Sequence, residues 1–192
     1  EFLNRGNDST NVSILPCGID VNSYIIDESD VLYPDRSIVV GKIEPRKRQA
    51  FLQHKGLDID FIGNTVDASF DTNDPCYFGE QSKEDIMENL TSYANMVLLS
   101  SGEAHPFVCL EGMAAGLGLV ISEQSTANLD VTKPFITVIP DNKLNDTKFL
   151  KDEIDNNRKV SMNMRKEIRQ YCRDNFDWCA IIKKYKEIIE KI

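Results

Sequence analysis

The sequence predicts an α/β fold, a doubly wound parallel sheet with helices on both faces, and three observations predict it. Short apolar runs rich in β-branched residues alternate with amphipathic stretches, which is the pattern of βα units. Proline and glycine punctuate the boundaries between them, as Pro106 and Gly116 do around one helical stretch. The chain has 192 residues, 41% hydrophobic and 28% charged, enough to bury one good core.

Taken in order, "RSIVVGK" (36–42) reads as a buried strand ending in Gly41, and "PRKRQAFLQHK" (45–55) as a helix with Pro45 in its first turn. "DIDFIG" (58–63) is the next strand, 64–75 a polar loop, and "CYFG" (76–79) a short strand. "SKEDIMENLTSYA" (82–94) is a helix with Ser82 as N-cap and Asp85 three residues on, close to a capping box. "NMVLLS" (95–100) returns to the sheet; Pro106 opens a helix through about Ala115, Gly116 stops it, and "LGLVIS" (117–122) is strand again. "PFITVIP" (134–140) is the last strand.

From Asp146 the text turns to charged helical segments at 147–158, 160–175 and 178–191, the last with Trp178, Ile181, Ile182, Tyr185, Ile188 and Ile189 on one apolar face. The first 35 residues are loop-rich, with 1–12 a loose leader and "SILPCGID" (13–20) a strand running into a glycine turn. The whole, 1–192, is expected to be a single Rossmann-like domain with its C-terminal helices at 160–192. Opening on Glu1-Phe2 without an initiator Met predicts a piece of something longer.

A net charge of −9 argues against nucleic acid as partner, since phosphate backbones are held by accumulated Lys and Arg. The five cysteines show no CxxC spacing and only two histidines accompany them, so no metal site is expected and reduced thiols in a cytoplasmic protein are the natural reading. No apolar run approaches membrane-spanning length. "DID" at 58–60 is set aside as a metal site: both aspartates flank Ile59 at a strand start, away from the ligand edge, and are expected to be loop-solvated.

In a doubly wound sheet, ligands collect beyond the carboxyl ends of the strands. "GKIEPRKR" places Lys42, Arg46, Lys47 and Arg48 there, beside a helix N-terminus that favours anions. The alternative is a solvated basic helix start. Glu103 sits in a later loop and Glu111 inside the apolar helix that follows, where an unpaired carboxylate is expensive and needs a partner. Two adjacent hydroxyls of a diol would donate to its two oxygens; an exposed helix face is the bland alternative.

In this order the fragments resemble the nucleotide-sugar-binding, C-terminal half of a retaining GT-B glycosyltransferase of family 4. "PCGID" resembles the family's Pro-Asn-Gly-Val/Ile-Asp segment, "VVGKIEPRKR" its Gly-Arg-x-x-x-x-Lys loop, and "SSGEAHPFVCLEGMAAGLGLVIS" its E-x7-E block. "FIGN" and the stretch from Tyr77 to Ser101 resemble the intervening elements, so the resemblance runs from about 13 to 190. It implies that Gly41, Lys42 and Lys47 lie at the donor diphosphate, that Glu111 takes the ribose hydroxyls and that Glu103 orients the transferred sugar. Gly63, Asn64, Phe78 and Gly79 then sit where the base is cradled, and His105, Pro106, Phe107 and Val108 line the donor between the two acids. It implies further a UDP- or GDP-sugar as substrate, no metal or other cofactor, and retention of configuration. A sugar, lipid or protein acceptor would be held by an N-terminal domain upstream, through which alone a membrane would be met; the fragment by itself is expected to be inactive.

Departures accompany the match. Lys42 stands where Arg is usual, Pro106 where Gly is frequent, and Gly118 where Pro is common. "SEQSTANLD" replaces a Gly-Gly-x-x-Glu loop, leaving Ser125, Thr126 and Asn128 as substitutes for its contacts. Two other readings stay open: a nucleotide-binding scaffold without catalysis, and a sugar-nucleotide epimerase of the same architecture.

Overall fold

The computed structural model describes residues 14–26 and 31–190. Its strands are β1 (Tyr33–Val40), β2 (Ile59–Ile62), β3 (Tyr93–Leu98), β4 (Gly118–Ser122) and β5 (Ile136–Ile139). Its helices are α1 (Gln49–Gln53), α2 (Lys83–Asn89), α3 (Phe107–Ala114), α4 (Thr147–Asn163), α5 (Arg165–Phe176) and α6 (Trp178–Ile189). All strand pairs are parallel, in the order β2-β1-β3-β4-β5, a Rossmann-like α/β sheet as the alternating runs predict. The chain leaves β1 toward β2 on one side and continues from β3 toward β5 on the other. Connections from β1 and β3 therefore run to opposite sides, the arrangement at which doubly wound sheets bind ligands over the carboxyl edge.

Period-two alternation along the strands sends apolar side chains to both faces. Ile38, Val40, Met96, Leu98, Leu119 and Ile121 pack with Leu110 and Met113 of α3 and Ile168 of α5. Val39, Phe61, Val97 and Val120 pack the other way, with Leu52 of α1 and Leu150 and Ile154 of α4. Each such side chain contributes about 1.5–3 kcal/mol when taken out of water.

The amino edge of the sheet is closed by buried polar groups. Asn157 of α4, 1% exposed, donates to the carbonyls of Leu119 and Phe135, both at 3.1 Å, and accepts from the Asn95 amide at 2.9 Å. Arg158 reaches Ser37 and the Asp58 carbonyl, and Arg165 of α5 reaches the carbonyls of Tyr93 and Thr91. Gly118 donates its N–H to the Ser161 hydroxyl at 2.6 Å, a bond that proline there could not make. Asn157→Ala should lower stability by about 2–4 kcal/mol, because it orphans groups on three strands or strand entries. Urea unfolding measures this, and an unchanged midpoint would contradict the seal.

Several elements differ from expectation. The predicted strand at 13–20 is irregular from 14 to 18 (Ser13 lies outside the described residues, as does the leader at 1–12); only Ile19 pairs, with Asp177. That segment lies against the C-terminal helices, not the sheet, with Gly18 so close to the Trp178 ring that an added Cβ would come within 2.5 Å. The 45–55 helix is broken. Pro45–Lys47 form a single 3-10 turn, Arg48 takes a left-handed conformation (φ 58°), and only Gln49–Gln53 continue as α1. Arg48 thereby points its guanidinium at the Leu99 carbonyl, 3.1 Å away, and at Asp141. "CYFG" reduces to one bridge, Tyr77 with Phe61. Ser82 caps α2 as expected, bonding the Asp85 N–H at 3.0 Å, but the helix gives way at Leu90 to a 3-10 turn and β3 begins at Tyr93.

Asp58 is exposed, but Asp60 is 3% exposed within β2, paired with Arg36 and hydrogen-bonded by the Tyr93 hydroxyl at 3.0 Å; the loop-solvated reading fails for it. On α6 only Ile181 is buried, while Trp178, Ile182, Tyr185 and Ile189 remain about half exposed. Among the described residues no helix is long and apolar enough to cross a membrane.

Candidate functional site

Beyond the carboxyl edge the backbone continues its pairing as a lattice of loops. Gly41 N–H donates to Ile62 O at 2.9 Å, Ile43 N–H to Asn64 O at 2.8 Å, and Gly63 N–H to Gly79 O at 2.8 Å. Gly41 (φ 128°) and Gly63 (φ 144°) lie in backbone regions open to glycine, and their chains cross in contact. The Tyr77 hydroxyl holds the Gly63 carbonyl at 2.8 Å. Phe78 projects outward, half exposed, beside Gly79.

The four cations of the loop after β1 divide into two pairs. Arg46 is engaged: it pairs with Glu44 at 2.8 Å and Glu103 at 3.1 Å, bonds the Gly102 carbonyl, and receives the Ser101 N–H on its own carbonyl at 2.8 Å. Arg48 is engaged at Leu99 and Asp141. Lys42 and Lys47 pair with no carboxylate among the described residues. Lys42 is exposed and Lys47 half-buried. The Lys47 ammonium lies directly over Gly41, so near that a Cβ at 41 would come within 3.1 Å of it. The two lysines chosen from sequence are thus the two whose charge is unspent.

Glu103 and Glu111 both lie on the connection from β3 to β4. Glu103 is held from behind by Arg46 and by its own N–H to the Gln124 carbonyl at 3.1 Å. Glu111, on the second turn of α3, accepts a hydrogen bond on Oε1 from the Tyr24 hydroxyl at 3.1 Å. Burial pushes its carboxyl above the usual range, and the Tyr24 bond and the Lys83 charge pull it back. The Cys109 thiol, fully buried, is pushed far up by burial and further by the charges of both carboxylates. Arg46 ties the loop after β1 to the loop carrying Glu103. The structure therefore brings Gly41, Lys42, Lys47, Glu103 and the α3 entry to one edge.

Pro106 caps α3 and is buried, Phe107 is exposed, and Val108 is half-buried. His105 is turned toward neighbouring loops: its Nδ1 accepts from the Asn128 amide at 3.1 Å, and burial lowers its pKa below the ordinary imidazole value, partly offset by the Cys17 backbone. Of the substitutes expected in "SEQSTANLD", Ser125 is fully buried and bonded to Ser122, Thr126 bonds the Glu123 carbonyl, and Asn128 is taken by His105. These bonds tie Ser125 and Thr126 to their own loop and Asn128 to His105.

Gly18, Asp20, Tyr24, Lys83, Phe107 and Trp178 surround a cleft of about 230 Å³ next to Glu111. A larger groove of about 620 Å³ lies at the sealed amino edge, where Asp58, Lys151, Asp155 and Arg158 satisfy one another, so size does not identify the site. Sequence reasoning missed Tyr24, Lys83 and the pairing of Arg46 with Glu103. The demand of Glu111 for a partner was legible, but its partner lies 87 positions away with no motif to mark it.

No known sequence family matches this chain, and no curated protein matches it in sequence. Solved structures do match. Anabaena HepE, crystallised with UDP and glucose, superposes with a TM-score of 0.70 at 14% identity, covering 100% of this chain and 60% of that one. The lipopolysaccharide outer core galactosyltransferase WaaB gives 0.71 at 15% over 99% of this chain and 58% of its own. Sucrose-phosphate synthase from Thermosynechococcus elongatus gives 0.70 at 16% over 93% and 52%. The fold is that of a GT-B glycosyltransferase C-terminal domain. This chain spans between half and three-fifths of the length of those proteins. The loop of Lys42 and Lys47 follows β1, the loop of Glu103 and the helix of Glu111 follow β3, and the strand order reverses between these two strands.

Proposed function

We propose that this chain is the donor-binding domain of a metal-independent, retaining glycosyltransferase and holds a UDP- or GDP-sugar across the carboxyl edge of its sheet. One observation carries this reading: Lys42 and Lys47 pair with no carboxylate among the described residues, Lys47 stands over Gly41, and Arg46 ties their loop to the loop of Glu103 at the β1/β3 switch point, with Glu111 on the helix that follows. HepE, of the same fold, was crystallised with UDP and with UDP-glucose.

In this reading Lys42 and Lys47 take the diphosphate, Glu111 the ribose hydroxyls and Glu103, braced by Arg46, the hydroxyls of the sugar. Gly63, Asn64, Phe78 and Gly79 cradle the base. Charge builds on the leaving diphosphate as the anomeric bond breaks, and lysines aimed there stabilise the transition state more than the bound donor. Glu103 orients the sugar and is assigned no nucleophilic role. The acceptor is a sugar, lipid or protein bound by a further domain on the cytoplasmic side, so transfer needs more than these residues.

Calorimetric titration with UDP, GDP and ADP tests the reading. Glu111→Ala should lower UDP affinity about ten- to a hundredfold, the loss of hydrogen bonds to a charged acceptor, while leaving pyrophosphate binding alone. Undiminished UDP affinity in that variant removes the ribose assignment.

A further inference from the structure

We infer that Tyr24 is a positioning residue for Glu111: its hydroxyl fixes one carboxylate oxygen so that the acid presents its remaining lone pairs to a bound ribose. The inference rests on the reading of Glu111 as the nucleoside's acceptor and goes beyond it by naming what aims that acceptor.

Tyr24 is built to be immobile. It is 2% exposed, and its backbone carbonyl is held by Arg169 Nη1 at 2.6 Å, the same nitrogen that bonds the Ala114 carbonyl of α3 at 2.8 Å. One guanidinium thus clamps the Tyr24 backbone to the helix that carries Glu111. Upstream, Asp20 caps the turn Val21–Ser23 through the Asn22 N–H at 3.0 Å, and Ile19 exchanges hydrogen bonds with Phe176 and Trp178. The phenol therefore arrives at Glu111 from a fixed direction, whereas the glutamate has three rotatable bonds and no other hydrogen-bonding partner among the described residues.

The chemistry of the donor suits that task. Burial first, and the nearby Glu111 next, push the Tyr24 hydroxyl far above neutral, so it donates at every working pH. A neutral donor orients a carboxylate without neutralising it. The groups that act on the Glu111 carboxyl are the Tyr24 hydroxyl, through its hydrogen bond, and the Lys83 charge of α2; the Cys109 thiol of its own helix feels the Glu111 charge, and the charges of Asp20 and Cys172 act on Tyr24. Tyr24 and Lys83 also share the wall of the cleft beside the acid.

The hydrogen bond favours the ionised carboxylate. Removing it should raise the Glu111 pKa further, so the pH below which ribose binding is lost should move upward. UDP and 2′,3′-dideoxy-UDP are to be titrated into this chain, Tyr24→Phe and Glu111→Gln, from about pH 4.5 to about pH 8. Tyr24→Phe keeps the ring and its packing. It should weaken UDP about three- to tenfold near neutrality, leave dideoxy-UDP unchanged, and shift the acid limb of UDP binding to higher pH. If Glu111→Gln does not abolish the preference for UDP over the dideoxy analogue, the ribose reading fails and this inference with it. If Glu111→Gln abolishes that preference but Tyr24→Phe preserves both affinity and acid limb, the ribose reading stands and the role of Tyr24 is overturned. Equal losses for both nucleotides in Tyr24→Phe would make Tyr24 a packing residue only, which also overturns it.

Discussion

Gly63→Ala is expected to lower stability by at least about 3 kcal/mol and to abolish nucleotide binding in whatever fraction folds. A Cβ at 63 would lie 2.1 Å from the Gly41 carbonyl oxygen and 2.7 Å from its carbon. Both atoms are backbone, so no side chain can swing aside. The φ of 144° adds strain for any L-residue. Relief requires moving Gly41, and with it the turn that sets the Lys47 ammonium over that residue. Gly79 supplies the control. Its φ of 70° is also left-handed, but a Cβ there meets nothing within 4 Å, so Gly79→Ala should show only the about 1–2 kcal/mol of an L-residue in that region. Urea unfolding of the two variants separates close approach from conformational preference. Equal losses would mean the contact between the two loops carries nothing.

Legibility in the sequence followed the range of the interactions. The connection from β3 through α3 to β4 was readable almost to the residue because its signals are local: Pro106 at the helix entry, Gly116 with φ 79° at the exit, apolar strands either side. Ser82 was readable for the same reason, as a cap answers to a partner three residues away. Arg48 was not, because nothing in "PRKRQAF" reports that Leu99 and Asp141, brought in by β3 and by the turn after β5, would draw its side chain and reverse its backbone. Asp60 was misread since a carboxylate in a strand looks solvated until Arg36 within β1 and Tyr93 at the start of β3 are known to face it. The charged text of α4 concealed the same logic: Asn157, Arg158 and Ser161 look like a solvated helix face, yet each is spent on strand groups brought near only by the fold. At the candidate site the acids and lysines were legible as types at a spacing. What aims them, Arg46 for Glu103 and Tyr24 for Glu111, is tertiary.

Lys47→Ala is expected to weaken binding of a nucleoside diphosphate about ten- to a hundredfold, the worth of one or two charge-assisted hydrogen bonds to phosphate. Binding of the uncharged nucleoside should not change. The protein carries a net charge of −9, so its overall field repels such a ligand, and affinity must come from cations placed locally. Arg48→Ala removes an equal charge one position away, but that charge is already turned to the Leu99 carbonyl and Asp141; it should lower stability more than affinity. Lys47→Arg keeps the charge and lengthens the reach over Gly41, where a compact ammonium now fits, so it should recover only part of the loss. Because half-buried charge is screened less than exposed charge, the Lys47 contribution should also persist at salt concentrations that erase the contribution of Lys42. Titrations of the single variants at low and high salt distinguish these effects. An equal fall for the Lys47 and Arg48 variants, both vanishing with salt, would reduce the basic loop to generic attraction and leave the diphosphate without a seat.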